Sequence, residues 1–94
     1  MKVIVKSFAN IRDVLNTGEL QLEVAAGTTI GGLFAFLTER YGAAFDRQIR
    51  DQMSGDIVPF LVMINETVYR TTTDLGVSLT DGDAVTVMIP FDGG

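Results

Sequence analysis

Most side chains that carry covalent, redox or metal chemistry are missing here: the 94 residues contain no Cys and no His. That excludes zinc fingers, iron–sulfur ligation, thiol redox chemistry and every triad or dyad built on imidazole or thiolate. Few candidates remain. Gly27-Thr28-Thr29-Ile30-Gly31-Gly32 has the outer glycine spacing of a phosphate-binding loop, but Leu33 and Phe34 stand where Lys and Ser/Thr would have to be, so it reads as the start of a helix. Asp81 and Asp83 flank Gly82; two carboxylates around a glycine are turn formers before they are metal ligands, and no metal site is expected. No pair of acids stands out for general acid–base work. Arg47 and Arg50, near Asp46 and Asp51, read as solvated surface charges. The last feature is the pair Gly93-Gly94 that closes the sequence behind Pro90.

Composition narrows the class further. A chain that is 47% hydrophobic and 20% charged is a small globular domain, expected to span 1–94 with an arm over about 90–94. At this length roughly 60 to 68% of the unfolded surface is buried on folding, enough for one core without disulfides or a structural metal. Seven basic against twelve acidic residues leave a net charge of −5, and the basic residues are scattered, so nucleic acid is not an expected partner. The longest nearly continuous apolar run, Ile57 to Ile64, contains Pro59 and is far short of a bilayer span, so no membrane association is expected. With no leader-like start, the expected compartment is the cytoplasm.

The elements that would position these residues can be read from periodicity. Lys2 to Phe8 reads as a first strand with Val3, Val5 and Ser7 on one face and Lys2, Ile4, Lys6 and Phe8 on the other. Glu19 to Val24 alternates strictly and predicts a second strand burying Leu20, Leu22 and Val24, with a short helical turn around Ile11 to Leu15 between the two. A helix capped by Thr28 or Thr29 carries Ile30, Leu33, Phe34, Leu37 and Tyr41 on one stripe and stops at Gly42. Ala43 to Gly55 is expected to form a second short helix, with Phe45 and Ile49 capping the core. Phe60 to Asn65 reads as a strand, Val68 to Arg70 as a short extended piece, and Ala84 to Ile89 as the last strand, entered through the Asp81-Gly82-Asp83 turn. Hairpin, helix, then further strands is the order of an α+β, β-grasp domain, with the first and last strands parallel at the centre of a mixed sheet.

Period-two alternation leaves Ile4, Phe8, Leu61, Met63, Thr86 and Met88 on the sheet face away from the helix. So apolar an outer face predicts a protein interface, with Met suited to packing against more than one partner and Phe91 as an anchor; the alternative is that the segment from Ala43 to Pro59 covers part of it.

The end of the chain, Leu79-Thr80-Asp81-Gly82-Asp83-Ala84-Val85 through Pro90 to Gly93-Gly94, resembles the ubiquitin-like sulfur carriers: the small subunit of molybdopterin synthase (MoaD), the thiamine sulfur carrier (ThiS) and the archaeal small modifier proteins. Phe8 to Leu15, Gly27 to Leu33 and Val62 to Asn65 resemble the corresponding family segments. Ile89-Pro90 followed by Phe91-Asp92, instead of two consecutive prolines, leaves the partner enzyme open. The length of Ala43 to Pro59 favours the archaeal type.

The resemblance implies a carrier rather than an enzyme. A ubiquitin-activating-type enzyme would use ATP to adenylate Gly94, and sulfur or an amine would then capture the acyl group. Gly93 and Gly94, lacking Cβ, would let an extended backbone thread a narrow channel in the partner. Pro90 would end the β-ladder so that the arm leaves the sheet. Phe8, Leu61, Met63, Met88, Pro90, Phe91 and Asp92 would contact partners: the activating enzyme, and the large subunit of molybdopterin synthase or another sulfur acceptor. No cofactor would be permanently bound. Two alternatives stay open: a modifier joined through Gly94 to lysines of other proteins, and a β-grasp interaction module whose tail does no chemistry.

Overall fold

Alternating side chains on short β-branched segments build a mixed five-stranded sheet. The computed structural model describes residues 1–7, 12, 15 and 17–88. Lys2–Lys6 (β1) and Glu19–Glu23 (β2) pair antiparallel, with Val3 opposite Leu22 and Val5 opposite Leu20. Leu61–Ile64 (β3) and Thr67–Arg70 (β4) form a second antiparallel hairpin, turned by Asn65 at φ 55°. Ala84–Met88 (β5) lies between them, parallel to β1 and antiparallel to β3, giving the order β2-β1-β5-β3-β4. The central parallel pair anticipated from the element order is therefore present, and helices lie in the crossover that parallel strands require.

The main helix, Ile30–Tyr41 (α1), is capped by Thr29, whose hydroxyl accepts a hydrogen bond from the Gly32 amide at 3.0 Å. Thr28, the other candidate, donates its hydroxyl proton to the Ala25 carbonyl instead. Gly42 ends the helix at φ 71°, a conformation that costs a residue with Cβ about 1 kcal/mol or more. Ile30, Leu33, Phe34 and Leu37 are buried against the sheet, while Tyr41 in the last turn is half-buried.

The second helix, Ala43–Ile49 (α2), stops well before Gly55. Side chain–backbone bonds compete with helix propagation beyond Ile49. Arg50 is extended, bridges to Ile57, and donates from its guanidinium to Asp46 Oδ1 at 3.0 Å and to the Gly55 carbonyl at 2.6 Å. The Asp51 carboxylate accepts from the amides of Met53 and Ser54. Arg50 is thus a loop staple rather than a solvated charge. Phe45 and Ile49 are fully buried, so this segment completes the core on the helix side and its apolar residues do not serve the outer face.

Strand lengths are trimmed relative to expectation. β1 ends at Lys6, and β3 begins at Leu61 because Phe60 turns into the core, its ring 5.5 Å from that of Phe34. Leu20 is half-buried rather than buried, as befits an edge strand covered on one side only, whereas Leu22 and Val24 are in the core. Thr71 is buried but satisfied: its hydroxyl accepts from the Phe60 amide and donates to the Val58 carbonyl, both at 2.9 Å. Phe45→Ala is expected to lower the unfolding free energy by about 3–5 kcal/mol, the cost of an aromatic-sized cavity in a packed core, read as a shift in the urea midpoint at constant slope.

Candidate functional site

The turn that leads into β5 ties three parts of the sheet together. Gly82 takes φ 87°, and its amide donates to the Lys2 carbonyl at 2.7 Å. The Lys2 amide donates to Asp81 Oδ1 at 2.7 Å, and the Ile4 amide donates to the Asp83 carbonyl at 2.9 Å. The buried Asp83 carboxylate accepts from the Thr80 amide at 2.8 Å, the Thr80 hydroxyl at 3.0 Å and the Asn65 side-chain amide at 3.0 Å. Asn65 in turn accepts from the Ala84 amide through Oδ1 and donates its own amide to the Ala84 carbonyl.

Both carboxylates are therefore occupied by backbone and side-chain donors, the turn-forming role expected of them. Among the described residues no group of three or more acids is placed to hold a metal ion. Burial pushes the Asp83 carboxyl up, but its hydrogen bonds from Thr80 and Asn65 outweigh that effect and hold it below the ordinary aspartate value.

Across the outer face of the sheet, register places Glu19, Lys6, Thr86, Met63 and Val68 in one rank from edge to edge. Met88, Leu61 and Arg70 form a shorter rank beside it. Of the expected contact residues, Leu61 is 41% exposed, while Met63 and Met88 are half-buried, as is Ile4. Thr86 is buried, contrary to expectation: on the central strand it is flanked by Lys6 and Met63, whose side chains screen it from water.

Val68, 53% exposed and directly opposite Met63, extends the apolar strip and was missed in the sequence. The signal was available, since Val68 alternates with Tyr69, which packs on the core. The strip is bounded by Lys6 and Arg70, so it is amphipathic at its rim.

Met88 is the last described residue, and it sits opposite Leu61. Phe8, Pro90, Phe91, Asp92, Gly93 and Gly94 lie outside the described residues. The sheet thus brings Leu61, Met63 and Met88 together beside the strand end from which the terminal segment continues.

The ThiS family model matches residues 5–94, which takes in the end of β1, the other four strands, both helices and the closing Gly93-Gly94. The chain belongs to the ThiS family. It is a ubiquitin-like sulfur carrier by family, and its mixed sheet on a main helix is the β-grasp architecture. Small carriers of the ThiS type are generally not catalytic themselves.

Solved structures agree on the fold of this ThiS-family chain. It is similar to SAMP1 from Haloferax volcanii, with a TM-score of 0.80 and 20% identity over 100% of both chains. It is similar to the small archaeal modifier protein 1 from Methanosarcina acetivorans, with a TM-score of 0.72 and 26% identity over 99% of this chain and 96% of that one. A Pyrococcus furiosus protein described as subunit 1 of a molybdopterin converting factor gives a TM-score of 0.73 and 23% identity over 97% and 99% of the two chains. No curated protein matches the sequence.

Because the Asp83 pKa is lowered in the folded state, its stabilisation is present above the unfolded value of 3.8 and is lost as pH falls through the folded value. Asp83→Ala is expected to cost about 1–3 kcal/mol at neutral pH, from donors left unpaired. It should also flatten the fall in stability below about pH 4, measured by urea titration across pH.

Proposed function

We propose that the protein carries sulfur on its terminal residue. The Gly94 carboxylate attacks the α-phosphate of ATP on a ubiquitin-activating-type enzyme, releasing pyrophosphate and forming an acyl adenylate. A sulfide-equivalent nucleophile then attacks the acyl carbon and AMP leaves, so that a thiocarboxylate replaces the carboxylate. Sulfur is finally passed on within a partner enzyme, with molybdopterin synthesis as the receiving pathway and the synthase large subunit as the partner. The observation that carries this reading is the family match running through to Gly94.

The chain's own residues act by binding and presentation. Leu61, Met63, Met88 and Val68 offer partners an apolar strip rimmed by Lys6 and Arg70. Pro90, Phe91 and Asp92 meet the partner near its channel, Phe8 adds to the contact surface, and Gly93-Gly94 threads without side chains. No resident cofactor is needed, because ATP is consumed by the activating enzyme. The cytoplasm is the compartment this reading proposes.

A second reading, favoured by the similarity to the Methanosarcina modifier protein, is conjugation of the activated Gly94 to lysines of target proteins. Both readings use the same adenylate and differ in the nucleophile.

Intact-mass measurement after incubation with an activating enzyme, ATP and a sulfur donor tests the proposal. The expected gain is that of one oxygen-for-sulfur exchange, lost when Gly94 is deleted. An unchanged mass alongside Gly94–lysine linkages in lysates of the native host would favour conjugation. Neither product with a competent enzyme would leave a binding module without tail chemistry.

A further inference from the structure

Beside the end of β5 the surface opens into a pocket of about 270 Å³ lined by Pro59, Phe60, Leu61, Arg70 and Thr72. This is below the roughly 300–1,000 Å³ of sites that enclose drug-sized ligands, and it suits one large side chain better than a cofactor. Pro59, Phe60 and Leu61 make its walls apolar, and among the described residues Arg70 supplies the formal charge in the lining. The Arg70 amide is anchored to Asp74 Oδ2 at 2.9 Å, which holds the backbone in place while the residue itself stays exposed. Among the described residues the ion pair formed is Arg50–Asp46, which does not involve Arg70. The pocket therefore asks for an apolar group next to an anion.

The sequence carries such a group within reach. Ile89-Pro90-Phe91-Asp92-Gly93-Gly94 follows Met88 and places an aromatic ring next to a carboxylate. Met88 faces Leu61 across one strand spacing, and Leu61 faces Arg70 across the next. At about 4.8 Å per spacing, Arg70 lies roughly 10 Å from Met88 across the sheet. Fully extended, three residues span about 10 Å and four about 13 Å, so Phe91 and Asp92 are both within reach of Arg70. β5 runs antiparallel to β3, so its C-terminal end points toward the Pro59–Phe60 side, where the pocket lies.

We propose that this pocket binds the chain's own tail, with Phe91 against Pro59, Phe60 and Leu61 and Asp92 paired with Arg70. Gly93-Gly94 is then held against the domain until a partner draws it out. One ring in an open pocket and one exposed ion pair are individually weak, which suits a latch that must open. The short tether supplies the effective concentration that makes such weak contacts form. The latch is a property of the isolated domain and does not depend on what the tail's carboxylate later becomes.

Amide NMR spectra of the full chain, without any activating enzyme, test the latch. Phe91→Ala and Asp92→Asn should each shift the Leu61, Arg70 and Thr72 signals. Arg70→Glu should move the Phe91 and Asp92 signals toward those of an unstructured peptide, and adding Asp92→Lys to Arg70→Glu should restore them. Arg70 is exposed, so its replacement leaves the core untouched. Pocket signals that ignore the tail substitutions would overturn the proposal. So would shifts that disappear on dilution, since those would place a second copy's tail in the pocket. Failure of the latch leaves the sulfur-carrier reading standing, because that is read by mass and this by chemical shift.

Discussion

The parallel pairing of β1 with β5 is the constraint on which the rest of the structure depends. It joins segments as far apart in sequence as Lys2 and Asp81, 79 positions, so the chain-closure entropy is paid before any contact repays it. What holds the pair is a short turn rather than a long ladder. Gly82 and Asp81 bind the Lys2 backbone from one side, the Asp83 carbonyl receives the Ile4 amide, and the Asp83 side chain fastens the same turn to Asn65 in the neighbouring hairpin. Three strands are thereby brought into register at one end of the sheet. Val3, Val5, Val85 and Val87 can then form the fully covered centre on which α1 lies.

That arrangement suits the proposed group transfer by a chain without Cys or His. In that proposal the reacting atoms are those of the Gly94 carboxylate, so the domain has to supply presentation rather than catalysis. Central placement of β5 gives the terminal segment a rigid base, flanked by β1 and β3 on either side. The face beside it is graded rather than uniformly apolar: Leu61 and Val68 are open, Met63 and Met88 half-covered, Thr86 closed, with Lys6 and Arg70 at the rim. A mixed strip of this kind stays soluble in the free domain and still has apolar area to give up to a partner.

The helical layer shows how local hydrogen-bonding chemistry and the core share control of the chain. Thr29 starts α1 and Gly42 stops it, both for reasons visible in the residues themselves. Beyond Ile49 the outcome is set by competition: Arg50 and Asp51 satisfy loop backbone groups that a longer helix would have used, and the chain turns back through the Arg50–Ile57 bridge. Met53 is left almost wholly exposed at the tip of that loop, while Phe45 and Ile49, only a few residues earlier, are fully buried.

Periodicity and turn residues by themselves determined the β-grasp order, a helix start at Thr28 or Thr29 and its stop at Gly42, the inward set Val3, Val5, Leu33, Phe34, Leu37, Val62, Val85 and Val87, and the family resemblance of the Gly93-Gly94 end. These are local signals, written in alternation, capping and missing Cβ atoms, and they survive without knowledge of neighbours. Tertiary structure decided what depends on neighbours. Asp83 looked like half of a tight turn, and its burial and its bond to Asn65, 18 positions away, follow only once β3 and β5 are adjacent. Thr86 shares its outward parity with Leu61, yet the central strand hides one and the flank of the sheet opens the other. Arg70 becomes part of a pocket only because Leu61 stands opposite it. Alternation says which face a side chain takes; strand order decides how much water that face sees.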